Sequence, residues 1–128
     1  MKIIQPQGWP QPKGYANGVL AKGETLFIGG QIGWDEHQQF PSDNFVDQVR
    51  QTLKNTVAVL EAAGAKPANI VRMTWYITDK REYLASLGEV GAVYREIIGK
   101  HFPAMAMVQV VALMEDRAKV EIETTAVL

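Results

Sequence analysis

The chain has 128 residues, 47% of them hydrophobic and 21% charged, with 13 basic against 14 acidic side chains and a formal net charge of −1. That length fits one domain, and so even a charge balance supplies no overall attraction to nucleic acid or to an anionic membrane. The absence of cysteine excludes disulfides, thiolate metal sites, iron–sulfur clusters and a cysteine nucleophile.

A charged residue interrupts every hydrophobic stretch before about 18 apolar residues accumulate, so no membrane-spanning helix is predicted. Residues 1–18, rich in Pro, Gly and Gln, read as a loosely ordered leader to a single domain over 1–128. They lack the apolar core of a signal peptide, and a cytoplasmic location is expected. Val19–Ala21 and Thr25–Ile28 flank Lys22-Gly23-Glu24, which predicts a β-hairpin. Gly29-Gly30 then breaks the alternation before Gln31-Ile32. Paired glycines beside a strand indicate a bulge, a close backbone approach or a simple turn.

From Asp43 to Ala63, Val46, Val49, Leu53, Val57 and Leu60 recur at three or four residues, with Gln48, Arg50, Gln51 and Lys54 between them. This predicts an amphipathic helix capped by Ser42 or Asp43 and left through a left-handed Gly64. Val71, Met73, Trp75 and Ile77 alternate with Arg72, Thr74 and Tyr76, a strand over 70–78. Asp79 with Glu82 reads as a capping box opening a second helix that runs through Leu84, Leu87, Val90, Tyr94 and Ile97 towards Gly99. Gly88 and Gly91 weaken that helix by about 1 kcal/mol each relative to alanine, which implies close packing or space for a ligand. Strands over Met105–Leu113 and Lys119–Val127 complete the order β-β-α-β-α-β-β, an α+β chain with two helices on one face of a mixed sheet. In the 105–113 strand Met105, Met107, Val111 and Leu113 face one way and Ala106, Val108, Val110 and Ala112 the other. Both faces are apolar and no third helix remains, so self-association through the open sheet face is expected.

Reactive groups are few. His37 and His101 belong to no metal-binding motif, and no metal site is expected. No phosphate-binding glycine loop and no G-x-S-x-G elbow occurs. Val120-Glu121-Ile122-Glu123 places two carboxylates on one strand face; such a face is usually solvated, but a carboxylate in a pocket can move protons.

Gly29-Gly30-Gln31-Ile32, Gln51-Thr52-Leu53-Lys54-Asn55 with Leu60-Glu61-Ala62-Ala63-Gly64, Phe102-Pro103-Ala104 and Val120-Glu121-Ile122-Glu123 together resemble, in order and spacing, the Rid family (RidA/YjgF) over nearly the whole chain. The resemblance implies a chorismate-mutase-like subunit and a homotrimer whose open sheet faces form a central barrel. It also implies small-molecule ligand sites in the clefts between subunits, with neither a metal nor an organic cofactor. In the best-known branch, enamines and imines are hydrolysed to 2-oxo acids and ammonia. By that resemblance Glu121 positions water, Tyr15 orients substrate, and Gly30 and Gln31 line the cleft. The arginine that clamps a substrate carboxylate after Phe-Pro-Ala is Met105 here. Met107 lies two residues on, and Gly91 stands where that branch commonly has asparagine. A thioether cannot replace a guanidinium fork, so the chain looks like an arginine-lacking branch unless Arg72, Arg95 or Arg117 takes over. Leu113-Met114, where the family often has Leu-Pro, is a further departure.

Two functional readings follow: a deaminase-like hydrolase of a small enamine or imine, and a non-catalytic trimer that binds a small metabolite in the same cleft. The ribonuclease label attached to some relatives is disfavoured by the net charge of −1 and the lack of a basic, aromatic-interleaved stripe.

Overall fold

A computed structural model describes residues 1–128. Strands β1 (Lys2–Ile4) and β2 (Gly18–Leu20) form a small antiparallel sheet. Strands β3 (Thr25–Ile32), β4 (Ile70–Ile77), β5 (Ala104–Gln109) and β6 (Val120–Val127) form the main sheet in the order β3-β6-β4-β5. Only β4 and β5 are parallel. Helices α1 (Phe45–Ala62), α2 (Lys80–Leu84) and α3 (Leu87–Ile97) account for the rest of the regular structure, apart from a 3₁₀ turn at Pro67–Asn69. No helix is long and apolar enough to cross a membrane.

Helix α1 follows its apolar period: Val49, Leu53 and Leu60 are completely buried, against β3, β6 and α3. Truncating Leu53 or Leu60 to alanine would cost about 2–5 kcal/mol. Thr52 and Thr56 share this buried face because their hydroxyls donate to the carbonyls of Gln48 (2.7 Å) and Thr52 (3.0 Å) one turn back. Asn44 is the N-cap, accepting from the Asp47 amide at 3.0 Å. The two expected caps serve otherwise: Ser42 accepts from the Asn44 amide and donates to Asp47, and Asp43 pairs with Arg117 at 3.0 Å. Gly64 leaves the helix with φ +75°, as its position predicted.

Further expectations are corrected. The 19–28 hairpin does not form. Gly23 turns the chain at φ 145°, Glu24 and Leu128 exchange backbone hydrogen bonds of 3.0 and 2.9 Å, and β3 therefore enters against the C-terminal strand while β2 pairs with β1. The second helix is broken into α2 and α3 at Ser86, whose backbone is non-helical and whose hydroxyl donates to the Glu82 carbonyl at 2.8 Å. Asp79 caps α2 as predicted, but the Glu82 side chain reaches Lys119 at 3.5 Å. Strand β5 stops at Gln109, because its single partner β4 ends opposite it at Ile77. Gln48, expected on the polar side of α1, is buried. Its amide donates to the carbonyls of Ser42 (3.1 Å) and Arg117 (3.0 Å) and accepts from the Lys119 amide (2.8 Å), tying the segment before β6 to the helix.

The last correction concerns the uncovered sheet face. Register places Phe27, Arg72, Thr74, Tyr76, Ala106, Val108, Glu121, Glu123 and Thr125 on that side. Val108, as the reading of the 105–113 strand expected, is 45% exposed there, and Phe27 of β3 is 78% exposed. The remaining positions are mostly polar, so the open face is a mixed surface instead of a continuous apolar one.

Candidate functional site

The sequence-predicted site residues fall into two groups on opposite sides of one sheet. Met105 pairs with Met73 and Met107 with Trp75, which in turn pairs with Ile122, so both thioethers lie on the helix-covered side. Glu121 pairs with Tyr76, and Tyr76 with Val108, which puts the carboxylate on the open side.

On the covered side Met105 and Met107 open into a cavity of about 300 Å³ between β5, β4, α2 and α3. The leader reaches it because the Ala16 amide donates to the Pro103 carbonyl at 2.9 Å, and Ala16 bridges Ala104 in parallel register. This contact carries Lys13 and Gly14 to the cavity mouth and Tyr15 to an adjoining recess that shares Met105 and Met107. Residues 1–18 thus contribute both a strand and one wall of the site. The back wall is aromatic. Tyr94 stacks on Phe102 with centroids 5.6 Å apart and lies 6.5 Å from Trp75. The Tyr94 hydroxyl donates to the His101 carbonyl at 2.6 Å, and burial pushes its pKa well above the ordinary tyrosine value, so it stays a neutral donor. The indole Nε1 of Trp75 is buried with no partner. Gly91 also lines this cavity. The space left by its missing side chain is bounded by Arg95, whose Nη1 would lie 3.2 Å from a β-carbon at position 91.

Gly30 and Gln31 stand at the predicted irregularity: the β3–β6 register shifts between Ile28 and Gln31, a β-carbon at Gly30 would meet Glu121 on the open side, and Gln31 pairs with Ile122 of the covered side. Gln31 Nε2 donates to the Gly29 carbonyl at 3.1 Å. From α1, Asn55 Nδ2 donates to the carbonyls of Ile32 (2.9 Å) and Trp34 (2.7 Å), and Gln51 donates to Asn55 Oδ1 at 2.9 Å. That bracing holds the bulge where the Gly30 backbone meets the Glu121 carboxyl group. Diagonally across the same face, Tyr76, the register partner of Glu121, donates to Glu123 at 2.6 Å, and this bond is the main reason that its pKa is raised.

Sequence reasoning missed the aromatic wall of Trp75, Tyr83, Tyr94 and Phe102, whose helical and strand spacing reads simply as core. Of the three arginines considered as substitutes for an arginine at position 105, Arg117 is engaged by Asp43 and lies over Phe40 at 5.3 Å. Arg72 lies on the open face with Thr74 and Glu123; Arg95 alone lines the Met105 cavity. No three His, Asp or Glu side chains converge into a metal-ligating group.

Comparison with known proteins places this geometry. A family model described as Endoribonuclease L-PSP matches residues 10–128. The putative reactive intermediate deaminase TdcF of Escherichia coli K12 is 37% identical over 131 aligned positions, covering 98% of this chain and 96% of its own. The human 2-iminobutanoate/2-iminopropanoate deaminase is 33% identical over 114 residues, 88% of this chain and 79% of its own. Among solved structures, the Rid protein YyfB of Yersinia pestis superposes with a TM-score of 0.87 at 28% identity, over 99% of this chain and 98% of that one. E. coli TdcF with bound serine gives a TM-score of 0.70 at 34% identity, over 100% and 99%. With the sheet order, the glycine bulge against Glu121 and the family match over residues 10–128 all in agreement, the chain belongs to the Rid (YjgF) family.

Proposed function

We propose that this protein is a deaminase-type hydrolase of a small enamine or imine, working as a homotrimer with its sites between subunits and belonging to an arginine-lacking branch of the family. The observation that carries the assembly is the separation of Glu121 from Met105 and Met107 by the thickness of one sheet. A cleft that uses both groups needs a second copy of the chain, and the open face with exposed Phe27 and Val108 offers the surface. The deaminases among the relatives support the chemistry, as does a carboxylate held against a glycine bulge.

In this reading the imine carbon accepts the oxygen of a water whose proton passes to Glu121. That proton returns to nitrogen and gives a carbinolamine, whose hydroxyl proton follows the same route through Glu121 to nitrogen as the C–N bond breaks and the carbonyl forms, so that a 2-oxo compound and ammonia leave. Tyr15 orients the substrate beside Met105, and Gly30 and Gln31 line the cleft. No cofactor is needed for a hydrolysis of this kind. Met105 at the clamp position favours a second reading, a trimer that binds a metabolite without turning it over.

Ammonia release from imines generated in situ, measured above the spontaneous rate, tests the proposal. Wild type should accelerate release of at least one imino acid, and Glu121→Ala and Glu121→Gln should remove about 10²–10⁴-fold of that acceleration. Saturable binding with no acceleration would establish the second reading, and acceleration that survives both substitutions would remove Glu121 from the mechanism.

A further inference from the structure

Resting on the imine-hydrolase reading, we infer that Arg95 of α3 has taken over the carboxylate anchor from position 105, and that the site selects 2-imino acids with bulky apolar side chains. Three observations lead there. Met105 and Met107 turn the floor of the cavity apolar, and with Trp75, Tyr83, Tyr94 and Phe102 they line a space of about 300 Å³. That volume is small for a ligand site, matching a metabolite of roughly ten heavy atoms instead of a nucleotide. Arg95 is an exposed residue at the edge of this space and has no carboxylate partner; its helical neighbour Glu96 pairs with Arg50 of α1 instead. The guanidinium lies beside Gly91, where any side chain would press on its Nη1 at 3.2 Å. The glycine and the arginine, one helical turn apart, therefore work together: the absent side chain at 91 is the room in which the Arg95 fork faces the cavity.

An anion held there would place the rest of its molecule against the methionines and aromatic rings. A methyl group would leave this surface unfilled, whereas a branched or aromatic side chain would cover it. Lys13 at the mouth is the competing cation. It is a single point charge on a flexible stem, whereas a planar fork grips a carboxylate through two bonds.

Binding of the product-like acid 4-methyl-2-oxopentanoate, measured by calorimetry on the intact protein, tests the inference without requiring turnover. Arg95→Ala should weaken it about ten- to a hundredfold, while the corresponding neutral carboxamide, bound more weakly by wild type, should be indifferent to the substitution. Arg95→Lys should recover part of the loss, and pyruvate should bind wild type at least tenfold more weakly than the branched acid. In the kinetic arm, imines generated from leucine and from alanine are compared. Arg95→Ala should raise KM for the former with little change in kcat, a split that a folding defect would not produce. Unchanged affinity for the branched acid in Arg95→Ala, a larger loss in Lys13→Ala, or equal affinity for pyruvate would overturn the inference. Arg95-dependent binding of the acid with no ammonia release from any imine would keep the anchor and reject the hydrolase reading, so the two fail separately.

Discussion

Gly30 packs directly against the carboxyl group of Glu121: a β-carbon at position 30 would lie 2.8 Å from the Glu121 carboxyl carbon. The contact joins a bulge in β3 to the neighbouring strand β6 and decides where the carboxylate can rest. Because the atoms in the way form the end of a flexible side chain, Gly30→Ala should move the carboxylate and leave the fold nearly intact. The expected change in stability is below about 1 kcal/mol, since surface substitutions rarely exceed that. Ammonia release should fall about tenfold or more if Glu121 directs the water, because proton transfer needs hydrogen-bond reach. Thermal unfolding alongside the ammonia assay separates the two effects. Full activity in Gly30→Ala would mean that the position of this carboxylate does not matter.

How far the chain could be read in advance depended on whether an element is specified by its own residues or by its neighbours. Helix α1 and strand β4 were legible because Val49, Leu53 and Leu60, and Met73, Trp75 and Ile77, repeat at the period of the structure they form. The glycine bulge was legible for a related reason, since Gly29-Gly30 interrupts an otherwise regular alternation. By contrast, the pairing of β3 depends on Leu128, about a hundred residues away, and no local pattern distinguishes that partner from the adjacent β2. The break at Ser86 is set by a single hydroxyl returning to Glu82. In the site, Glu121 and Gly30 could be named from a motif, but the sides they occupy follow from three-strand register. The aromatic wall was hidden because a side chain lining a ligand cavity has the same spacing as one filling a core.

Gln48 gives a prediction about stability. It is 1% exposed and makes three hydrogen bonds that hold the Arg117–Lys119 segment to α1. Gln48→Ala removes the partners of two carbonyls and one amide and leaves a cavity, so the loss should be about 2–4 kcal/mol. Denaturant titration would measure it. A loss below about 1 kcal/mol would mean that water replaces all three bonds and that the latch is dispensable.

Assembly can be tested through two valines that differ in placement. Val108 lies on the open sheet face at 45% exposure, whereas Val111, beyond the end of β5, is fully exposed. Light scattering should give about three times 14.2 kDa for wild type. Val108→Asp would bury an unpaired charge in a trimer, at a cost of several kcal/mol, and should dissociate it. Val111→Asp should leave the mass unchanged. A monomeric wild type at micromolar concentration would remove the proposed interface altogether.

Tyr76 and Glu123 provide a pH-dependent signature of the open face. The 2.6 Å bond from the Tyr76 hydroxyl to Glu123 holds the phenolic proton, and desolvation adds to the effect, so Tyr76 ionises above its ordinary value of 10.0. The folded protein therefore binds this proton more tightly than the unfolded chain. Its contribution to stability is complete below the ordinary tyrosine value and is lost as the pH rises through the elevated folded one. Tyr94 is also raised, but by burial alone, which makes it an internal control. Titration of tyrosine ring carbons by NMR should show both residues ionising late. Glu123→Gln removes the charge-assisted acceptor and should return Tyr76 towards its ordinary value while leaving Tyr94 where it was. If the trimer covers this face, the added desolvation acts on Tyr76 in the same direction. A Tyr76 that titrates at its ordinary value in wild type, or that ignores Glu123→Gln, would show that this hydrogen bond does not persist in solution.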